Sequence, residues 1–184
     1  MKKFALLLLF STNLFAIDSI SEKFKTIVCS DYYAKCDQYN DEEILKISSL
    51  LDQASMQYKV SIYKLFALIA AESGFKRDKI FSNINNSKDL GLMQNNSVWI
   101  QERCLKVFNR RCSYEEMFDP IISVKLAMVR FKECSKYSND AFFICYNSDK
   151  LAYKYLTSDF YPEYLERLYV EYDVIVGEIL GRED

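Results

Sequence analysis

The chain has 184 residues, of which 50% are hydrophobic, with 24 basic and 26 acidic side chains and a formal charge of −2 at pH 7. An acidic chain without a basic run is a poor candidate for binding nucleic acid. Histidine is absent, which excludes Ser-His-Asp and Cys-His catalysis and the usual histidine-based zinc sites. We therefore predict no metal and no cofactor, and a chemistry carried by carboxylates, hydroxyls, amides or thiols.

Residues 1–16 have the pattern of a secretory signal peptide. Two lysines follow Met1, an apolar run extends from Phe4 to Phe10, and Ala16 is the small residue before the predicted cleavage point. The apolar run is too short to span a bilayer, and Cys29 lies too far from the cleavage point to carry a lipid anchor. We expect a periplasmic protein with no transmembrane segment in its mature chain, long enough for one domain with a core.

Local signals in the first half predict helices. Residues 17–40 lack a clean period and are expected to form an irregular or briefly helical arm. The Asn40-Asp41 pair can cap a surface helix. Ser61 can cap the next helix, Ile62 to Ser73, which Gly74 would end by adopting a left-handed conformation.

The second half is also largely helical. Residues 75–88 are polar and aperiodic, so a loop or a small irregular β region is expected there. Ser97 is expected to cap a short helix, and Asp119-Pro120 to begin a long one. Further helices are predicted from Ala141 to Tyr146 and from about Pro162. The predicted organisation is a signal peptide (1–16), an arm (17–40), one domain (41–172) and the end of the C-terminal helix (173–184).

All six cysteines follow the signal peptide, and none has the close spacing of a metal or thioredoxin-like site. Structural disulfides in an oxidising compartment are the favoured interpretation. About fifteen full pairings are open. Nearest-neighbour pairing is the default: Cys29–Cys36, Cys104–Cys112 and Cys134–Cys145. The last pair concerns function most, because Cys145 directly precedes Tyr146 and Asn147 and a disulfide there would hold that segment.

One carboxylate, Glu72, lies on an apolar helix stripe. Leu65, Leu68, Ile69 and Glu72 are spaced i, i+3, i+4 and i+7, so they share the face expected to point inward. Burial and a position near a helix C-terminus both disfavour the ionised form. Glu72 should therefore have a raised pKa and could act as a general acid on a glycosidic oxygen. The alternative is a buried glutamate satisfied by a lysine, an arginine or a backbone partner.

Three motifs occur in order along the chain: Glu72-Ser73-Gly74-Phe75, the segment from Asn86 to Ser97 that contains Gly91-Leu92-Met93-Gln94, and Tyr146-Asn147. In order and spacing they resemble the soluble-lytic-transglycosylase-like family, over roughly Asp41 to Tyr172. The resemblance implies a lysozyme-like domain, mainly α with a cleft and a small irregular β region, that cleaves peptidoglycan. The Asn-Asn-Ser-Lys-Asp-Leu-Gly form of the second motif is most similar to the small specialised transglycosylases of secretion and conjugation machines.

By this resemblance Glu72 is the single catalytic acid/base, and the reaction leaves a 1,6-anhydro end on N-acetylmuramic acid without consuming water. The residues implied to bind or position the substrate are Ser73, Met93, Gln94, Tyr146 and Asn147. Ser73 could instead be a polar residue that ends a helix, and Met93 fits either the cleft wall or the core. The implied partners are peptidoglycan glycan strands and an envelope-spanning apparatus.

The third motif departs from the family pattern. The family usually continues Ala-Tyr-Asn with Ala-Gly or Ser-Gly, whereas this chain reads Cys145-Tyr146-Asn147-Ser148-Asp149. Losing the glycine changes the turn, and Asp149 adds a charge near the cleft. Two alternatives therefore stay open: a hydrolysing muramidase, which leaves reducing ends, and a non-catalytic wall-binding or assembly protein on the same scaffold.

Overall fold

A computed structural model of the protein describes residues 19–158 and 160–181. The predicted signal peptide, residues 1–16, lies outside the described residues. The described part consists of 8 α-helices and a small 3-stranded antiparallel sheet. This architecture confirms the prediction of a mainly α, lysozyme-like fold with a small β region.

The bounds of the elements are as follows. The helices are α1 (19–28), α2 (Asp41–Tyr58), α3 (Ile62–Ser73), α4 (Ile100–Phe108), α5 (Pro120–Cys134), α6 (Asn139–Asn147), α7 (Asp149–Thr157) and α8 (Glu163–Asp173). The strands are β1 (Ile80–Ser82), β2 (Lys88–Leu90) and β3 (Asn95–Asn96), paired in that order. Short 3₁₀ turns lie at Cys36–Gln38 and Glu115–Phe118, and a π-helical turn follows α8 at Val174–Ile179.

Helix α3 is the centre of the core because its segment from Leu65 to Ala71 is apolar on every face. Every residue from Leu65 to Ala71 is buried, with at most 6% of its surface exposed. A helix that is apolar all round has to be covered by its neighbours, and α8 and α2 pack against α3. Glu72 comes directly after this buried run. Gly74 then ends the helix in the left-handed conformation, at φ 59°.

Of the predicted helix caps, Asn40 and Asp119 are present, Ser61 has the predicted position without a capping hydrogen bond, and Ser97 is wrong. Asn40 caps α2 and accepts the N–H of Glu43, whose carboxylate accepts the N–H of Asn40 in return. Asp119 caps α5 ahead of its proline, as predicted. Ser61 stands at the start of α3 but makes no capping hydrogen bond. Ser97 accepts a backbone N–H from β2 at 2.9 Å, and because its hydroxyl is engaged there, α4 begins later with no side-chain cap.

Helix α7 was not predicted. Its 9 residues are too few to be stable alone, and it packs against α6, from which Ser148 separates it. The Ser148 hydroxyl accepts the N–H of Leu151 and so caps the helix. Tertiary packing, rather than local periodicity, accounts for this element.

Gly91 brings the sheet against the rest of the protein. Its φ is +76°, and a Cβ atom there would lie 1.9 Å from the carbonyl oxygen of Met117. Only glycine fits this close approach of two backbones. Leu92 and Met93 can then enter the core, where both are fully buried, and Gln94 follows at the surface of the cleft.

The structure contains the disulfides Cys29–Cys36, Cys104–Cys112 and Cys134–Cys145. The third joins the last residue of α5 to α6, immediately before Tyr146. No helix within residues 19–158 and 160–181 is both long and apolar enough to cross a bilayer.

Candidate functional site

A cleft with a volume of about 1050 Å³ runs across the face that contains Glu72. Its walls come from the end of α3, from the β1–β2 hairpin and β3, and from α4, α5 and the end of α6. Of the site residues predicted from the sequence, the cleft is lined by Glu72, Gln94, Tyr146 and Asn147. The folding of the chain thus brings together residues from all three sequence motifs.

Glu72 occupies the last turn of α3 and is partly buried. Its Oε1 atom accepts a hydrogen bond of 2.7 Å from the hydroxyl of Tyr164. It forms no ion pair with any cation of the described residues. Lys79 donates to the backbone carbonyl of Glu72 at 2.8 Å and not to the carboxylate. Within residues 19–158 and 160–181, Glu72 therefore lacks the lysine or arginine partner that would make it a purely structural group.

Burial raises the pKa of Glu72 to about 7, against an ordinary value of 4.5. The hydrogen bond from Tyr164 and the positive charges of Arg167 and Lys79 oppose this rise, and the negative charge of Asp89 adds to it. A carboxyl group with a pKa near 7 is partly protonated at neutral pH. Glu72 can therefore both donate a proton and take one back, which general acid–base catalysis requires.

Tyr164 is a site residue that the sequence analysis missed. It lies in α8, buried to 7% exposure, and burial holds the pKa of its hydroxyl well above the ordinary value, so the group stays a donor. Ninety-two positions separate it from Glu72. Tyr164 shares a helix face with Leu168, which the predicted apolar stripe of the last helix included. That stripe could have shown that Tyr164 points inward, but not which residue it meets.

Asp89 is a second carboxylate in the cleft, and it too was missed. It lies in the central strand β2, opposite Phe81 on one side and Asn96 on the other. Its two oxygens accept amide hydrogens from Asn83 at 2.9 Å and from Asn96 at 2.7 Å. Unlike Glu72, Asp89 is held by amide donors on the wall of the cleft. The described residues contain no His, Cys, Asp and Glu group arranged to hold a metal ion.

Gln94 faces the cleft with a fixed orientation. Its φ is +46°, and its side-chain Nε2 donates to the carbonyl oxygens of Gly91 at 2.8 Å and of Lys79 at 3.1 Å. These two bonds use the amide hydrogens. The Oε1 atom has no hydrogen-bond donor among residues 19–158 and 160–181, so it is available to a substrate hydroxyl or N-acetyl N–H.

Ser73 and Met93 are placed away from the cleft. Ser73 is 2% exposed, and its hydroxyl donates to the carbonyl oxygen of Ile69 at 3.1 Å within α3. Met93 is fully buried in the core. Its carbonyl oxygen accepts a 2.7 Å hydrogen bond from the hydroxyl of Tyr146, so the Met93 backbone supports a residue that does reach the cleft.

Tyr146 and Asn147 end α6 at the cleft. Burial holds the pKa of the Tyr146 hydroxyl well above its ordinary value, and its ring packs on Phe131. Asn147 is exposed. The altered residues that follow have clear roles, because Ser148 caps α7 with an extended backbone that needs no glycine, and Asp149 begins that helix.

The cleft also has exposed aromatic side chains. Phe81 of β1 is 55% exposed, and Trp99, before α4, is 52% exposed. Flat apolar rings with this exposure suit stacking on sugar rings. Phe81 lies on the wall formed by the sheet, and Trp99 lies on the wall formed by the start of α4.

Comparison with known protein families gives one match. The family model for the transglycosylase SLT domain matches residues 49–156, more than half of the chain. The matched segment contains Glu72, Asp89, Gln94 and Tyr146, and it ends before Tyr164. Searches of curated proteins and of solved structures found no match.

Proposed function

The chain belongs to the transglycosylase SLT domain family, and we propose that it is a periplasmic lytic transglycosylase. Family membership means a lytic-transglycosylase-like function directed at peptidoglycan. The finer proposal is cleavage of the β-1,4 bond between N-acetylmuramic acid and N-acetylglucosamine with formation of a 1,6-anhydro end. The observation that carries it is Glu72, a partly buried carboxyl group in the cleft with a pKa of about 7 and no cationic partner in the described residues.

In the proposed reaction Glu72 carries one proton through two steps. Protonated Glu72 first donates to the glycosidic oxygen, which leaves with N-acetylglucosamine, while the substrate's own N-acetyl oxygen bonds to the anomeric carbon. The Glu72 carboxylate then takes the proton of the C6 hydroxyl, whose oxygen displaces the N-acetyl oxygen and closes the anhydro ring. Glu72 ends protonated as it began, and no water is consumed. Proton transfer of this kind contributes about 10²–10⁴ in rate.

The neighbours of Glu72 support this cycle. Tyr164 donates to one carboxylate oxygen and leaves the other free for the substrate. The free Oε1 of Gln94 and the exposed Trp99 ring provide a polar and an apolar contact for sugar units. Asn147 is an exposed amide at the cleft margin. These assignments to substrate binding are part of the proposal.

The family, the disulfides and the N-terminal sequence support the proposed location. The family and the disulfides indicate an extracytoplasmic protein. The signal-peptide pattern of residues 1–16 supports the periplasm. An association with a secretion or conjugation apparatus is supported by the form of the second motif, which runs from Asn86 to Ser97.

A digest of purified peptidoglycan tests the proposal. The mature protein, Glu72→Gln and the control Glu115→Gln, an exposed residue outside the cleft, are incubated with wall material, and released fragments are identified by mass spectrometry. We expect anhydro-ended fragments from the wild type and the control, and about 10²–10⁴ less from Glu72→Gln. Wall binding without release by any of the proteins would contradict the proposal and favour a non-catalytic binding protein.

The second candidate is a hydrolysing muramidase, and Asp89 is the observation that favours it. A second carboxylate in the cleft, near enough for its charge to raise the pKa of Glu72, is what a two-carboxylate hydrolysis uses. The same digest separates the two reactions. Reducing ends that disappear in Asp89→Asn would establish the muramidase.

A further inference from the structure

Arg103 is a buried cation in the cleft, and no step of the proposed reaction involves it. It lies in the first turn of α4, is 8% exposed and lines the cleft. Its Nη1 atom donates to the side-chain oxygen of Asn95 at 3.3 Å. Nε and Nη2 have no hydrogen-bond partner in the described residues. Both nitrogens keep some solvent-accessible surface, and since Arg103 lines the cleft, they open into it.

The other charged residues at this end of the cleft have partners. Glu133 pairs with Arg130 at 3.1 Å. Glu102 and Asp149 pair with lysines, at 2.6 Å and 3.1 Å. Arg130 also donates to the backbone carbonyls of Cys145 and Tyr146. Arg103 differs from this group, because it forms no ion pair within residues 19–158 and 160–181.

Asn95, on the buried side of Arg103, fixes the position of the guanidinium. The side-chain amide of Asn95, which is 1% exposed, donates to the carbonyl and hydroxyl oxygens of Ser123 at 3.0 Å and 3.1 Å. Its oxygen is thereby turned toward Arg103. The adjacent Cys104–Cys112 disulfide ties α4 to the following segment. The guanidinium is thus rigidly presented rather than free to swing into solvent.

The negative charges of Glu133 and Glu102 act on Arg103 from beyond ion-pair distance. A buried cation without a direct ion pair is costly, and an anionic ligand relieves that cost. The planar fork of a guanidinium matches a carboxylate, which it binds through two parallel hydrogen bonds. The sugar units of peptidoglycan are neutral apart from their lactyl groups. Carboxylates occur on the stem peptides, and on the lactyl group of muramic acid once a stem has been removed.

We propose that Arg103 binds a carboxylate of the peptidoglycan strand and thereby determines which strands the cleft accepts. This rests on the proposed function, since it takes peptidoglycan as the ligand. Tyr146 is close enough to Glu72, Arg103 and Arg130 for all three charges to act on its hydroxyl. The carboxylate is therefore recognised within the same cleft as the bond that is broken.

The test blocks the carboxylates of the substrate. Purified peptidoglycan is converted to neutral amides with carbodiimide and ammonia, and cleavage of the native and amidated walls is compared for the wild type, Arg103→Gln and the control Arg110→Gln. Arg110 is a surface arginine outside the cleft. We expect amidation to lower kcat/KM about tenfold for the wild type and Arg110→Gln, as for the loss of a hydrogen-bonded charge pair. Arg103→Gln should already be about tenfold slower on native wall and should not respond to amidation.

Two further arms identify the source of the carboxylate. Intact strands and strands stripped of their stems by an amidase are digested by the wild type and Arg103→Gln. A loss confined to intact strands assigns the ligand to the stem peptide, and a loss confined to stripped strands assigns it to the lactyl group.

The outcomes separate this inference from the proposed function. Equal cleavage of native and amidated wall by the wild type overturns the role of Arg103, whether or not Arg103→Gln folds. Absence of anhydro ends from every substrate would count instead against the transglycosylase. In that case the binding of native and amidated wall by Glu72→Gln is compared instead of cleavage. Equal binding of the two walls would overturn the role of Arg103.

Discussion

The two ends of the cleft differ in the partners of their carboxylates. At the α3–α8 end, Glu72 is partly buried and its carboxylate meets a tyrosine hydroxyl. At the α4–α5 end, Glu102 and Glu133 are each paired with a basic side chain. The pKa of Glu72 is raised by burial, whereas Lys106 lowers the pKa of Glu102 by hydrogen bonding. A carboxyl group keeps its proton only where the fold removes water without supplying a cation.

The same contrast applies to cations. Arg130 is used structurally, since it joins Glu133 to the end of α6. Arg103 lies nearby but has only the neutral oxygen of Asn95. Three charged residues of the cleft, Glu72, Asp89 and Arg103, form no ion pair in the described part of the chain. Amide donors hold Asp89, and we assign Glu72 and Arg103 to the substrate. Paired charges at the same cleft hold the walls in place.

Raising the pH should ionise Glu72, so that it no longer differs in charge from the paired carboxylates. Of the predictions made here, this one has the largest expected effect on activity. Glu72 must be protonated to donate, and it ionises above its pKa of about 7. We therefore expect kcat/KM to fall about tenfold for each pH unit between about 7.5 and 9. Release of anhydro fragments measures this, and circular dichroism at each pH controls for unfolding. A flat profile over this range would contradict the assignment of Glu72 as the acid.

Breaking the Cys134–Cys145 disulfide should loosen the wall formed by α6. Closing a short loop with a disulfide stabilises a protein by roughly 2–3 kcal/mol, so Cys134→Ala/Cys145→Ala should lose about that much free energy of unfolding. Activity should fall as well, because Cys145 adjoins Tyr146. Cys29→Ala/Cys36→Ala, away from the cleft, is the matched control. Unchanged activity in the first variant would show that the disulfide does not hold the site.

Replacing Glu72 with glutamine should stabilise the protein at high pH. The folded-state pKa of Glu72 is raised above the unfolded value, so its contribution to stability is present at low pH and is lost as the pH rises from about 4.5 to about 7. Glu72→Gln should therefore have a free energy of unfolding higher by roughly 2 kcal/mol at pH 8 than the wild type, relative to the difference at pH 4. Urea titrations at the two pH values measure this. Glu102→Gln should show no such gain, because Lys106 stabilises its ionised form.

Tyr164→Phe should have the smallest effect of the four. The ring stays in the core, and only the hydrogen bond to Glu72 is lost. Since that bond favours the ionised form, its removal raises the pKa of Glu72 and moves the falling limb of the pH profile to higher pH. We expect kcat/KM at pH 6 to drop about fivefold to tenfold, from poorer orientation of the carboxyl group. An unshifted limb would mean that Tyr164 only fills space.

Local signals predicted the elements that depend on neighbours in the chain. The Asn40 cap, the left-handed Gly74 and the Asp119-Pro120 start are all present where expected. The stripe from Leu65 to Glu72 predicted an inward-facing carboxylate with a raised pKa. These features succeed because helix periodicity and capping act over only three or four residues.

The misses are contacts between distant parts of the chain. Ser97 was predicted to cap a helix because nothing local shows that its hydroxyl is engaged by β2. Met93 could be cleft wall or core from its type alone, and packing against the central helices placed it in the core.

The sequence by itself determined the family, the helical class and the place of Glu72 on an inward-facing helix stripe, because motif order, apolar period and residue type can all be read along the chain. Only the tertiary structure decided that Tyr164 meets Glu72, that Asp89 shares its cleft and that Arg103 forms no ion pair with a described residue. Each of these depends on which side chains from separate helices and strands lie within a few ångströms after the core is packed. Burial and charge pairing, which set the pKa of Glu72, exist only in that packed state.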